Sequence, residues 1–402
     1  MRRFALLVCV IMAAAGSLVF TASSAAPDAA GSARRGTDDL VLLGEGRVRG
    51  WSVINVRRGV RERVLHGNPY FEAGFRRSPD GSRVALGCEW SDPGTYDEPQ
   101  ALCVARLDRQ SPQVVILKPS GPNALPRPTG YSSVEWSPDG RQLAVVWGDS
   151  ELWTVRADGT HPHRIIKTEA SSHPFWAPDG SLIAYTLYRE QRGDSAGIYV
   201  VSPTGGQPRR IAGRAHGTEL SQPYWSPQGS LIAYLKDAPG TLKDGLYVMR
   251  PDGSRQRRLV KENMKFGMTA GVSWSADGHL IASTRPYPSS TAYVVDVRTG
   301  RLSPLARGGA SFAPSGRDLL LATAGDGPSG LYDGRLTIIR ADGKHALLDH
   351  QVNAAAWSRD GRKIAYMKQN GLWIGDVTTL KTRRVLKWNL PPNQEKGPLI
   401  WR

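Results

Sequence analysis

Residues 136–140 read WSPDG, residues 176–180 WAPDG, residues 225–229 WSPQG and residues 274–278 WSADG. The five letters form a turn with an aromatic anchor. Pro sets its own φ for the second position of a type I turn, Ser and Asp suit the flanks, and Gly suits the end. Counting from the motif glycine, copies end at Gly81, Gly140, Gly180, Gly229, Gly278, Gly316 and Gly361, with spacings of 59, 40, 49, 49, 38 and 45. A period of forty to fifty residues with strand-like content points to a β-propeller.

Each unit has the same grammar. An apolar strand follows the glycine, as in Leu143-Ala144-Val145, Ile183-Ala184-Tyr185 and Ile364-Ala365-Tyr366. A loop of variable length leads to a second apolar run, LWTV at 152–155, IYVV at 198–201, LYVM at 246–249, AYVV at 292–295 and LWIG at 372–375. Turn signals such as Asp158-Gly159 and Asp252-Gly253 come next, and they suit tight hairpins. A basic strand then carries Arg164, Arg209-Arg210, Arg257-Arg258 or Arg383-Arg384. This strand is outermost in a propeller, and charge there discourages edge-to-edge pairing. Phe312 replaces the motif Trp once and Arg77 replaces it in the first complete unit. Residues 40–65 supply strands without an inner one, and residues 398–402 supply an inner strand with nothing after it. Joined, the two fragments make one composite blade that closes the ring. The expected fold is all-β: one propeller of four-stranded blades, eight with closure by the N and C termini, or seven if the N-terminal strands pack differently.

The first residues stand outside that pattern. Met1-Arg2-Arg3, an apolar run from Phe4 to Phe20 and the small residues up to Ala26 have the order of a secretory signal. Residues 1–26 read as a signal peptide, 27–37 as a flexible linker and 38–402 as the propeller. An uncleaved membrane anchor is the competing reading, at the short edge of what spans a bilayer. The chain carries 52 Lys and Arg against 36 Asp and Glu, and removal of two Arg with the signal leaves an excess of +14. A basic exported protein is drawn to anionic polymers, anionic lipid heads or acidic partners. Cys88 and Cys103, the two cysteines beyond the signal, are expected to form one disulfide in an oxidising compartment.

WSPDG followed by (I/L)AY, LYV and DG-x-x-x-R-(I/L) resembles the WD40-like repeat of TolB-type propellers. The resemblance implies an envelope protein that binds other proteins, including a peptidoglycan-associated lipoprotein. TolB proteins pair a six-bladed propeller with a leading α/β domain, for which no stretch is seen here. Related propellers precede the hydrolase domain of prolyl oligopeptidases, and no such domain is expected here.

Strand direction alternates, so the long, individual loops share one face. Binding residues favour loops on a rigid scaffold. The candidates are Trp90, Tyr96, Tyr188, Arg189 and Arg285 on the loops, with His173, Glu219 and Gln222 at the openings of two inner strands that line the channel. Three other signals carry less. Gly193–Gly197 fits G-x-S-x-G but lacks the strand–turn–helix context of an esterase elbow. His161-Pro162-His163 lacks further ligands at metal spacing, and Asp139, Asp179, Asp277 and Asp360 are scattered turn residues. The expected function is non-catalytic binding of an envelope protein or cell-envelope component, with no cofactor and no metal. The alternatives are a hydrolase- or lyase-type enzyme acting at the channel mouth and a binder of anionic wall polymers. The protein is expected to be periplasmic, wall-associated or secreted, monomeric, peripheral to membrane at most, and not a nucleic-acid binder.

Overall fold

The computed structural model describes residues 40–45, 50–66, 76–88, 101–107, 114–117, 131–147, 151–167, 173–187, 196–213, 218–238, 243–260, 272–284, 291–323, 334–388 and 399–400. All regular structure among them is strand, every pairing is antiparallel, and no helix is long and apolar enough to cross a membrane. The proposed signal and linker lie outside the described residues.

Pairing gathers the described strands into eight sets, here sheets A to H, of four strands each except E, where Glu219–Leu220 and Tyr224–Trp225 both pair with Ile232–Asp237 to make five. Sheet A joins Leu40–Glu45, Gly50–Asn55 and Val60–His66 to Leu399–Ile400 from the far end of the chain, with Leu42 opposite Ile400 and Leu43 opposite Leu399. Sheets B to E begin on inner strands that end at Arg77, Trp136, Trp176 and Trp225. Sheet F begins with Val272–Trp274 and sheet H with Ala354–Trp357. One long strand, Leu302–Phe312, serves two sheets. Its first half pairs with Thr291–Asp296 as the outer strand of F, and its second half pairs with Leu319–Thr323 as the inner strand of G. The change occurs at Gly308, where φ is 140° and a Cβ would collide with the Ala322 carbonyl oxygen. Only glycine fits there.

The motif works as turn and as link. Gly140 N–H donates to Ser137 O, Ser137 Oγ donates to Asp139 Oδ1 at 2.6 Å, and Gln142 N–H donates to Ser137 Oγ. Gly140 has φ 66°, which closes the turn into the next strand. The indole N–H then reaches the preceding sheet. Trp136 donates to Arg76 O at 2.9 Å, Trp225 to Phe175 O at 3.1 Å, Trp274 to Tyr224 O at 3.2 Å and Trp357 to Ser311 O at 3.3 Å. Arg77, in the Trp position of sheet B, does the same work by donating to Leu40 O of sheet A at 3.0 Å.

The basic outer strands differ from the expectation of charge placed on an edge. Arg209 of sheet D donates to Asp252 O at 2.7 Å and to Pro251 O at 3.1 Å in the outer turn of sheet E. Arg257 of sheet E bonds Arg298 O and Val297 O in sheet F, and Arg383 of sheet H bonds Val56 O in sheet A. The first arginine is therefore a clip to the next sheet. The second lies opposite an aromatic residue of its own sheet: Arg164 is over Trp153 and Arg384 over Trp373. A guanidinium, with five fixed donors and a flat face, suits both positions.

Apolar cores lie between neighbouring sheets, and the repeated Ala85, Ala144, Ala184, Ala233, Ala282 and Ala365 are all fully buried in or beside them. One cluster joins Val41, Leu43, Ile54 and Val56 of sheet A to Ala365, Met367, Leu372 and Ile374 of sheet H, so the first and last sheets share a core. Cys88 and Cys103 form a disulfide with Cα atoms 5.9 Å apart, across the second and third strands of sheet B.

Candidate binding site at the channel mouth

Side chains alternate along a strand. The motif Trp turns toward the preceding sheet, so the residues one and three places before it turn the other way, beside the channel that inner strands of a propeller line. At one place before, sheets B to E carry Arg76, Glu135, Phe175 and Tyr224, whereas F to H carry Ser273, Ser311 and Ala356. At three places before, nearer the opening of each strand, C, D and E carry Ser133, His173 and Gln222, whereas G and H carry Gly309 and Ala354.

Equivalent residues of neighbouring sheets touch. Arg76 Nε lies 3.0 Å from Glu135 Oε2, and the two side chains are only 20% and 14% exposed. The Phe175 and Tyr224 rings pack at 5.5 Å between centroids, tilted by 50°. Gln222 Nε2 donates to His173 Nδ1 at 2.8 Å. Tyr224 O–H donates to Gln222 Oε1 at 3.5 Å and ties the two levels together.

The electrostatics are those of a held array. Burial pushes the Glu135 carboxyl up, against the pull of the Arg76 guanidinium. Burial, and then the charge of Arg76, bring His173 down to about 3, so its ring is neutral at pH 7. With Nδ1 accepting from Gln222, the ring proton sits on Nε2. A general base works best with a pKa near the working pH. His173 is far below it and faces an amide here.

Of the residues singled out in the sequence, His173 and Gln222 are brought together. Glu219 stands apart: it is exposed, on the short strand Glu219–Leu220, opposite Asp237. Trp90, Tyr96, Tyr188, Arg189 and Arg285 lie outside the described residues, as does most of the G-x-S-x-G segment. The scattered aspartates are turn residues, each accepting from the backbone two places on: Asp139 from Arg141, Asp179 from Ser181, Asp277 from His279 and Asp360 from Arg362. Among the described residues no group of three or more His, Cys, Asp or Glu is placed to hold a metal ion. Sequence reasoning missed Arg76, Ser133, Glu135 and Tyr224. Their signal was their fixed distance from the motif Trp, one or three places upstream.

Residues 96–243 match the model of the TolB beta propeller domain. No curated protein matches the sequence. Among solved structures, the chain is similar to dihydro-heme d1 dehydrogenase NirN in complex with DHE (TM-score 0.61, 15% identity, 92% of this chain and 77% of that one). It is also similar to oligogalacturonate lyase in complex with manganese (TM-score 0.53, 17% identity, 77% and 85%). Dipeptidyl peptidase 4 of Porphyromonas gingivalis aligns with TM-score 0.57 and 10% identity over 89% of this chain and 60% of that one. Likeness at these identities is likeness of fold, and one fold hosts many functions.

Proposed function

We propose, from the premise that this chain is a β-propeller of the TolB type, that it is an exported binding protein without catalytic activity. It takes a protein or a cell-envelope component on the face where the inner strands open. The observation that carries this reading is the Gln222–His173 bond, which joins two sheets at that opening through residues 49 places apart. A neutral imidazole held by an amide presents fixed hydrogen-bonding groups and no poised proton. Rigid, preorganised polar groups favour recognition because little ordering remains to be done on binding.

Crosslinking capture from envelope extract, washed at low and at high salt, tests the proposal. A defined component that survives high salt supports it. Recovery of anionic polymer alone, lost at high salt, favours the third reading, in which the excess positive charge is the functional element.

A second reading, a channel-mouth enzyme, draws on Glu135. A carboxyl raised by burial beside an arginine is the kind of group that serves as a general acid. It predicts turnover that Glu135→Gln abolishes while component capture is retained.

A further inference from the structure

The outer turns of sheets A, F and H are built alike. Gly59 N–H donates to Asn55 O at 2.9 Å, Gly300 N–H to Asp296 O at 2.8 Å and Leu380 N–H to Asp376 O at 3.0 Å. The first side chain braces each turn from within: Asn55 Oδ1 accepts from Arg58 N–H at 3.0 Å, Asp296 Oδ1 from Thr299 N–H at 2.7 Å and Asp376 Oδ1 from Thr379 N–H at 2.7 Å. An amide oxygen and a carboxylate oxygen both accept such a bond, so the turn itself does not dictate the charge. Of the three, sheet A uses the neutral residue. It then places Arg57 and Arg58 where F has Arg298 and Thr299 and H has Thr378 and Thr379.

The turn of sheet A lies on the seam where the ring closes. Arg383 of sheet H donates to Val56 O, and a Cβ on Gly59 would stand 3.1 Å from Val385 O of the outer strand Thr382–Lys387. Arg61 pairs with Ile54, whose side chain lies in the core shared with sheet H, so Arg61 projects toward the same seam. Lys381 stands two places before Arg383. The seam thus gathers Arg57, Arg58, Arg61, Lys381 and Arg383, all exposed, from the two ends of the chain. Glu62 and Asp376 are the carboxylates of segments 55–62 and 376–387, and both are engaged. Glu62 accepts from Asn55 Nδ2 at 2.8 Å and lies 3.9 Å from Arg58, and Asp376 accepts from Thr378 and Thr379.

Like charges held side by side repel, most strongly at low salt. The closure they flank is short, with Leu42 opposite Ile400 and Leu43 opposite Leu399. An anion laid along the seam removes that repulsion and bonds cations from both ends of the chain at once. Arginine forks take carboxylates through two parallel hydrogen bonds. The cations follow one turn and one outer strand, a line and not a broad face, which suits a thread of repeating charge. Val60 is the large apolar side chain exposed beside them, and a single valine offers lipid insertion little anchorage.

We propose that the seam between sheets H and A is a docking site for a linear acidic glycan of the envelope, with a carboxylate on its repeat, and that the bound polymer clamps the ring shut. The site rests on the third reading given above, in which the positive charge is functional, and gives that charge a place. It lies on outer strands, away from the channel mouth, so its failure leaves recognition at the mouth untouched.

The test titrates the purified protein at low salt with polygalacturonate, with dextran as the neutral polymer and phosphatidylglycerol vesicles as the lipid alternative. Polygalacturonate binds, dextran does not, and the vesicles bind more weakly. A ligand of the closed fold raises Tm, and amide exchange slows in Leu40–Glu45. The variant Arg57→Thr, Arg58→Thr, Lys381→Ser copies the threonines of the sheet H turn and keeps the Arg383 clip. It melts at or above wild type without polymer, and it binds polygalacturonate about tenfold more weakly with a shallower salt dependence. A control, Arg141→Ser, Arg156→Ser, Arg250→Ser, removes the same charge from exposed positions of sheets C and E and binds like wild type. The proposal is overturned if polygalacturonate binds no better than dextran, if the vesicles bind more tightly, if exchange in Leu40–Glu45 is unchanged by the polymer, or if the two variants lose binding equally. Equal loss removes the seam and leaves the third reading standing, whereas failure of wild type to bind polygalacturonate at all sinks both.

Discussion

Gln222 Nε2 donates to His173 Nδ1 across 2.8 Å, although the two residues are 49 places apart and belong to different sheets. Each stands three places before a motif Trp, Trp176 or Trp225. The repeat that builds the blades thus also brings residues of two neighbouring blades together at the mouth of the channel. Several consequences can be measured.

His173 makes stability fall in acid. Its folded pKa, about 3, is below the ordinary 6.5, so the unfolded chain binds more protons between those values. Its contribution is fully present above pH 6.5 and declines as pH falls toward about 3. Glu135, raised by burial, acts in the opposite sense, so the comparison must isolate the histidine. Melting curves from pH 7 to pH 4 are expected to be flatter for His173→Gln than for wild type. Parallel curves would show that the ring is not held neutral.

The motif Trp contributes through its N–H as well as its bulk. Trp136 donates to Arg76 O, whereas the buried Trp176 Nε1 has no hydrogen-bond partner among the described residues. Trp136→Phe removes a bond and leaves the Arg76 carbonyl unmatched, so it should cost about 1 kcal/mol beyond the change in size. Trp176→Phe should cost less than Trp136→Phe. Urea denaturation of the two variants checks the order.

Arg383 links sheet H to the Val56 carbonyl of sheet A, 327 residues earlier in the chain. Arg383→Ala is expected to destabilise by about 1 kcal/mol. Arg383→Lys should restore only part of that, because one ammonium lacks the reach and planarity of the fork. Amide exchange should quicken in Leu40–Glu45 and Leu399–Ile400, whose pairing closes sheet A.

The Cys88–Cys103 bridge closes a loop of sequence separation 15. Loop-closure entropy puts its contribution at about 3 kcal/mol. Cys88→Ala combined with Cys103→Ala should lower Tm yet leave component capture intact, since both residues are buried in the core between sheets A and B. A double variant that melts like wild type would mean that the bridge adds little.

The blade grammar was legible because its physics is local. A Ser–Asp–Gly turn with a left-handed glycine is written in consecutive letters, as Ser137, Asp139 and Gly140 show. Closure through Leu399–Ile400 was legible for the same reason, since an inner strand without a blade needs a blade without an inner strand. The arginines of the outer strands were read as edge charges, yet Arg209, Arg257 and Arg383 bind carbonyls of the next sheet. The meaning of those side chains depends on backbone about forty residues onward, or at the far end of the chain. Arg76 and Glu135 were missed on the same ground: each looks like an ordinary surface charge until the neighbouring sheet supplies its partner. Glu219 lies on a short strand that pairs with Asp237 at the inner edge of sheet E, separated from Gln222 by a break at Ser221, and it is Gln222 that bonds His173.

The most direct test of the central claim compares capture by wild type and by the double variant His173→Ala, Gln222→Ala, in envelope extract washed at high salt, with melting curves to show that both are folded. Recognition at the channel mouth predicts a defined component retained by wild type and lost by the folded variant. Equal recovery by both proteins would contradict it and move binding away from the opening of the inner strands.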